Sequence, residues 1–152
     1  MTTSNTDRIE KSLTLRAPLS RVWRALTDSG EFGTWFRVAL DGPFAVGERV
    51  TGHITYPGYE HLKMEADIVA MDASHYFAFR WHPAATDPAV DYTAEPTTLV
   101  EFRLDAVDEG THLTVSESGF DQLPEGRRAH AFRMNEGGWA TQLENIRAHV
   151  AG

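Results

Sequence analysis

The stretch Pro124–Val150, PEGRRAHAFRMNEGGWATQLENIRAHV, decides the fold. Within it Ala129, Phe132, Glu136, Trp139, Leu143, Ile146 and Val150 recur at alternating steps of three and four, which places them on one face of a single long helix. Pro124 suits a first helical turn, where a missing N–H costs nothing, and Glu125 suits the positive end of the helix dipole. Two features depart from a plain core helix. Gly137-Gly138 sits mid-helix, where each glycine costs about 1 kcal/mol against alanine. Glu136 falls on the otherwise apolar stripe. The expectation is that another backbone approaches closely there, or that the helix faces something other than a dry core.

Upstream of this helix the hydrophobic period changes to two. Segments at about 48–55, 62–71, 75–82, 97–107 and 111–119 read as strands. Asp72-Ala73-Ser74 and Asp108-Glu109-Gly110 fit hairpin turns, and Pro57-Gly58 marks another. Such short connections predict an antiparallel meander rather than strand–helix–strand units. Between Trp81 and Thr97 a stretch with Pro83, Pro88 and Pro96 shows no period, so 83–96 reads as a long loop, a lid or a disordered segment. Further back, Ile9, Leu13 and Leu15 alternate with polar residues as a first strand, which Ala17-Pro18 ends. Leu19, Val22, Trp23 and Leu26 form the face of a short helix, with Trp23 expected in the core. Asp28-Ser29-Gly30 interrupts, and Phe32, Trp35 and Phe36 suggest a second short helix. Gly42-Pro43 and Gly47 punctuate a turn around Phe44 and Val46, and residues 1–7 are expected to fray. The order is strand, two short helices, antiparallel strands, long helix. A sheet with one apolar face needs a cover, and only the C-terminal helix is long enough, so the predicted class is α+β with the sheet curled around that helix.

Composition bounds the function. At 152 residues the chain fits a single domain, 1–152, that buries about two-thirds of its unfolded surface. A net charge of −8 without a basic cluster argues against nucleic acid and anionic membrane as partners. The absence of cysteine excludes disulfides, thiolate chemistry and Cys-ligated metal. The start, MTTSNTDR, lacks the apolar core of a signal peptide and no run approaches a membrane span, so the expectation is a cytoplasmic protein without membrane insertion.

Several motifs resemble a known group. Leu15-Arg16-Ala17-Pro18 followed by Val22-Trp23-Arg24-Ala25-Leu26-Thr27 resembles the opening of the START-like (SRPBCC, birch-pollen-allergen-like) superfamily, as do Phe44 with Val46-Gly47-Glu48 and Phe77-Ala78-Phe79-Arg80-Trp81. Leu113-Thr114-Val115-Ser116-Glu117-Ser118-Gly119-Phe120, with Gly138-Trp139 and Leu143-Glu144-Asn145-Ile146, is similar to the branch named for the activator of heat-shock protein 90 ATPase. The resemblance spans nearly the whole chain in order. It implies the helix-grip fold, a curved antiparallel sheet around a C-terminal helix enclosing a cavity, and the binding of apolar or amphipathic small molecules; it also brings stress response into view. Some relatives in the wider superfamily are cyclases or hydratases. The co-chaperones that name the branch carry a second domain, and none is expected in this sequence, so the resemblance does not imply their function, and it brings no shared catalytic motif to transfer.

Alternation places Phe77, Phe79 and Trp81 on one strand face, Thr98, Val100, Phe102 and Leu104 on another, and Leu113, Val115 and Glu117 on a third. Glu117 thus joins an apolar face, as Glu136 does on the helix, and the pair are the candidate catalytic residues: two inward carboxylates able to act as proton donors or hydrogen-bond anchors. Alternatively each lies at a cavity mouth or pairs with an arginine such as Arg37, Arg103 or Arg133. Trp35, Phe36, Phe44, Met64, Phe79, Trp81, Phe102, Phe132 and Trp139 are candidates for the lining of a binding pocket or, equally, for plain core, and His82 for a cavity mouth. His53, His61, His75, His112 and His149 have no evident partner and read as surface. No metal-binding spacing, nucleophile elbow or phosphate loop is present, so neither metal nor cofactor is expected. Three readings follow. The favoured one is a module that binds a small hydrophobic or amphipathic ligand in an internal cavity, as a monomer or homodimer. The second is a small cyclase, hydratase or hydrolase using Glu117 or Glu136, and the third a chaperone-associated module with a protein partner.

Overall fold

The computed structural model describes residues 7–83 and 94–151. The expectations for residues 1–6 and for the middle of the 83–96 loop, 84–93, lie outside the described residues. The elements in order are β1 (Arg8–Leu15), α1 (Leu19–Thr27), α2 (Ser29–Phe36), β2 (Val38–Leu40), β3 (Arg49–Ile54), β4 (Lys63–Asp72), β5 (Tyr76–Trp81), β6 (Thr98–Val107), β7 (Gly110–Ser118) and α3 (Glu125–Ala151). The strands form one antiparallel sheet in the order β1-β7-β6-β5-β4-β3-β2. It curves around α3, the α+β helix-grip arrangement that the sequence predicts.

Hairpin turns set the meander. Asp108-Glu109 form a two-residue loop, with Val107 opposite Gly110, and Asp72 opposite Tyr76 closes β4 on β5. The loop into β7 also docks the first strand. Gly110 has φ 143°, and a Cβ built on it would lie 2.2 Å from the Leu15 carbonyl oxygen, so only glycine lets the end of β1 pass this close. There Thr111 Oγ1 donates to the Ala17 carbonyl at 2.8 Å. β1 and β2 follow each other among the strands yet occupy opposite edges, and α1 and α2 carry the chain between them.

Asp28-Ser29-Gly30, read as an interruption, is instead the cap and first turn of α2: the Asp28 carboxylate accepts from the Glu31 N–H at 3.0 Å. β2 has three residues and no periodic signal of its own, so the sequence reading missed it. Trp23 is partly buried and packs against the core as expected.

The inward face of α3 departs from the predicted stripe in its first half. Trp139, Leu143, Ile146 and Val150 are buried, but Ala129 and Glu136 are exposed, and Ala131 and Asn135 turn inward in their place. Helical geometry gives the reason. At about 100° per residue, a step of four back from Trp139 lands about 40° off the buried line and a step of three about 60° off it on the other side. Both fit an amphipathic period, and the four-step, Asn135, is nearer the centre. Nor, among the described residues, does a backbone approach Gly137-Gly138, since a Cβ on either would meet none of their atoms within 4 Å.

The helices are joined on the outside by one carboxylate. Glu31 of α2 accepts from Arg21 Nη1 at 2.5 Å and Arg24 Nε at 2.6 Å, both on α1, and its Oε1 lies 2.9 Å from His149 Nε2 on α3. His149 therefore has a partner and is not the free surface histidine of the sequence reading. Burial pushes the Glu31 carboxyl up, but the hydrogen bonds from His149, Arg21 and Arg24 outweigh it and hold the group down to about 2, from an ordinary 4.5. A depressed carboxyl stabilises the fold above its unfolded value and loses that contribution as pH falls through its folded value. Stability measured by urea denaturation is thus expected to drop between pH 4.5 and about 2, and Glu31→Gln to flatten that drop. Equal slopes in the two proteins would rule the clasp out.

Candidate functional site

At the inner face of β7 Glu117 is 0% exposed. Alternation puts it there with Leu113 and Val115, and the register sets it opposite Val100 of β6. Two residues back on that face of β6 is Thr98, itself opposite Trp81 of β5. Three strands and α3 then converge on the carboxylate. Thr98 Oγ1 donates to Oε2 at 2.5 Å and Trp81 Nε1 to the same oxygen at 2.7 Å. Trp139 Nε1 donates to Oε1 at 2.8 Å, and Asn135 Nδ2 bridges both oxygens at 2.9 and 3.1 Å. Two indoles can only donate, and an acceptor-only carboxylate fixes the Asn135 amide with its NH2 inward.

The chemistry of this arrangement is unusual in one respect. A buried carboxylate is costly unless paired, and it normally takes a cation. Glu101, on the opposite face of β6, does so: Arg103 Nη2 donates to it at 2.9 Å beside the Tyr76 hydroxyl at 2.5 Å. Burial and that bond to Glu101 push the Tyr76 hydroxyl up to about 12. Glu117 receives neutral donors instead, and among the described residues its ion-pair partner is none of Arg37, Arg103 or Arg133. Its four donor groups match the roughly four acceptor sites of a carboxylate.

Aromatic rings enclose the network. Phe36, Trp81 and Trp139 form a triangle with centroids 5.9 to 6.1 Å apart. Phe79 packs on Trp81 at 5.4 Å and Phe102 on Trp139 at 5.7 Å. The other predicted lining residues sit elsewhere. Trp35 pins α2 to α1 through its indole N–H on the Ala25 carbonyl at 2.8 Å. Phe44 packs between Phe32 and Phe77, and Met64 is buried on β4, three strands from β7. Phe132 is partly buried against Phe120, and His82 Nε2 lies 3.1 Å from the Glu95 carbonyl. Glu136 is exposed, so the expected second inward carboxylate is absent and Asn135 stands in its place. Asn135 and the hydroxyl of Thr98 are the members that the sequence reading missed. Two inward-facing tryptophans needing acceptors were the available signal.

A groove of about 360 Å³ opens on the outside between α2 and β2, with Gly33, Val38 and Thr55 among its walls. It is not the expected cavity between sheet and helix. That interior is occupied by rings, with Phe32, Phe77, Phe79 and Phe102 all at or below 1% exposure. Among the described residues no three His, Asp or Glu side chains gather as a metal site requires, and no helix is long and apolar enough to cross a membrane.

Removing one donor should expose the cost of the network. Thr98→Val keeps the shape but leaves a buried carboxylate oxygen short of a bond, an expected loss of about 1.5–3 kcal/mol in urea denaturation. Glu117→Gln should cost more, because an amide NH2 would then face fixed donors. A Thr98→Val protein as stable as the parent would show that this bond contributes nothing.

Comparison with known proteins supports the fold assignment. Residues 16–151 match the family described as activator of Hsp90 ATPase homolog 1-like protein. No curated protein matches this sequence. Among solved structures, protein MLL2253 from Mesorhizobium loti is 26% identical with a TM-score of 0.74, over 95% of this chain and 96% of that one. Protein NE0264 from Nitrosomonas europaea is 16% identical with a TM-score of 0.75, over 99% and 98% of the two chains. The Aha1 dimer from Colwellia psychrerythraea is 14% identical with a TM-score of 0.69, over 94% and 95%. The last two likenesses concern the fold alone. With the family matched from the end of the first strand to the end of α3, the chain belongs to the activator of Hsp90 ATPase homolog 1-like family.

Proposed function

We propose that this protein is a binding module that takes up an apolar or amphipathic small molecule without transforming it, at the margin of the ring-filled interior between the sheet and α3, where the Glu117 network nears the surface. The observation that carries this reading is the Glu117 network, a buried polar anchor inside an aromatic surround. Small-molecule sites are built in that way, from apolar walls and a few placed polar groups. The network reaches the surface at one end, where Trp81, Phe132 and Asn135 are partly exposed, and the ligand enters there.

The same geometry weighs against acid–base catalysis. A general base needs a free lone pair aimed at substrate, and the donors on Glu117 already engage its acceptor sites. The expected partner carboxylate, Glu136, points to solvent. A protein-docking role draws less support. The exposed large apolar residues Val46, Tyr56, Tyr59, Val69, Val107 and Met134 are spread over the surface apart from the neighbouring rings of Tyr56 and Tyr59, 5.8 Å apart, and form no broad patch among the described residues.

Native mass spectrometry of the protein purified from its own cells tests the reading. The expected result is a reproducible extra mass that denaturing conditions release, with several-fold lower occupancy in a Trp81→Ala variant. A clean unliganded mass, together with no response to a thermal-shift panel of apolar and amphipathic compounds, would overturn it.

A further inference from the structure

The four donors on Glu117 are not equally fixed. Thr98 is 0% and Trp139 3% exposed. The Trp81 ring is held by Phe36, Phe79 and Trp139 at 6.0, 5.4 and 5.9 Å. Asn135 is partly exposed, and its carboxamide turns about a single broad torsion. Its Nδ2 sits between the two carboxylate oxygens, at 2.9 and 3.1 Å. That bridging position is the one a cationic nitrogen takes on a carboxylate.

Two further observations point the same way. Glu117 has no cation among the described residues, whereas the less buried Glu101 and Glu31 both have one. In a low-dielectric site a positive charge beside an uncompensated carboxylate is favoured over a neutral amide. Among the described residues, the helix surface next to Asn135 is also uncovered: Gly138 lies three residues on, beside Asn135 on the helix, and a Cβ there would meet none of their atoms within 4 Å. A helix-interior glycine pair is costly, and here it leaves space at the exposed end of the network.

We infer that the Asn135 carboxamide is a placeholder and that the ligand is an amphipathic amine. Its ammonium head displaces Asn135 Nδ2 and pairs with Glu117, while its apolar body lies against Trp81 and Phe132. This rests on the binding-module reading and names its ligand class. The three fixed donors remain in place and hold the carboxylate for the incoming head. A carboxylate ligand would meet like charge, and a neutral alcohol would gain one hydrogen bond without the charge pairing.

Three probes with one aryl body separate these cases: 2-phenylethylamine, 2-phenylethanol and 3-phenylpropanoate, titrated calorimetrically into the full chain at neutral pH. The amine is expected to bind at least tenfold more tightly than the alcohol, and the carboxylate not at all. Asn135→Ala removes the competing donor from a partly exposed position and should raise amine affinity several-fold, and the alcohol's in step, with the amine keeping its tenfold lead. Glu117→Gln, where it folds, should abolish the preference. Equal binding of amine and alcohol, or loss of amine affinity in Asn135→Ala, overturns the amine assignment and leaves the binding-module reading standing. Failure of all three probes also overturns the amine assignment, and the bound mass sought in native spectra then decides the binding reading separately.

Discussion

A carboxylate with no exposed surface constrains this fold more than any apolar contact. Glu117 can be buried only if its donors arrive together, and they come from β5, β6 and α3. A slip of one residue in β6 would turn Thr98 to the outer face, and a quarter-turn of α3 would remove both Trp139 and Asn135. Strand register and helix docking are therefore coupled through one side chain. Hydrophobic burial alone tolerates small rearrangements, whereas a half-satisfied buried network does not.

The rest of the architecture serves to hold α3 against the sheet. α2 sits beside it, and its Phe32, Trp35 and Phe36 pack toward the sheet interior, Phe36 touching both Trp81 and Trp139. Gln142 Nε2 of α3 donates to the Phe36 carbonyl at 3.1 Å. On the far side Glu31 ties α2 to α1 and to the last turn of α3. The helix is thus fixed near both its middle and its C-terminal end. Near its N-terminus Arg127 pairs with Glu95 and donates to the Pro83 carbonyl, tying α3 to both strand-proximal ends of the loop between β5 and β6.

How much of this was legible follows from what each signal encodes. Strand alternation is a strict period of two, so the inward positions of Phe77, Phe79, Trp81, Thr98, Phe102 and Glu117 could be read directly. The Asp108-Glu109-Gly110 turn carried its own chemistry. A helix has no integral period, and a choice between Asn135 and Glu136 falls within its ambiguity; charge on Glu136 drew attention to the wrong one. β2 was invisible because three residues carry no pattern, and its place is set by Arg37 in left-handed geometry and by pairing with β3. The Glu31–His149 contact joins residues 118 apart in sequence, which no local pattern records.

Stability gives no reason to keep Glu117. Buried ionic groups replaced together with their partners by apolar residues often leave stability unchanged or raised, so Glu117 and its donors could give way as a set without loss. Specificity of packing is a weaker explanation, because Phe36, Phe79, Phe102 and Trp139 already interlock. The chain nonetheless commits two indole N–H groups, a hydroxyl and an amide to one oxygen pair. Where the same sheet buries a carboxylate for structure, at Glu101, it supplies an arginine. The difference lies in the ligand field: neutral donors hold Glu117 in place without cancelling its charge. A carboxylate so held would keep its charge for the ammonium head proposed to replace Asn135, and that is the property such a binding anchor requires.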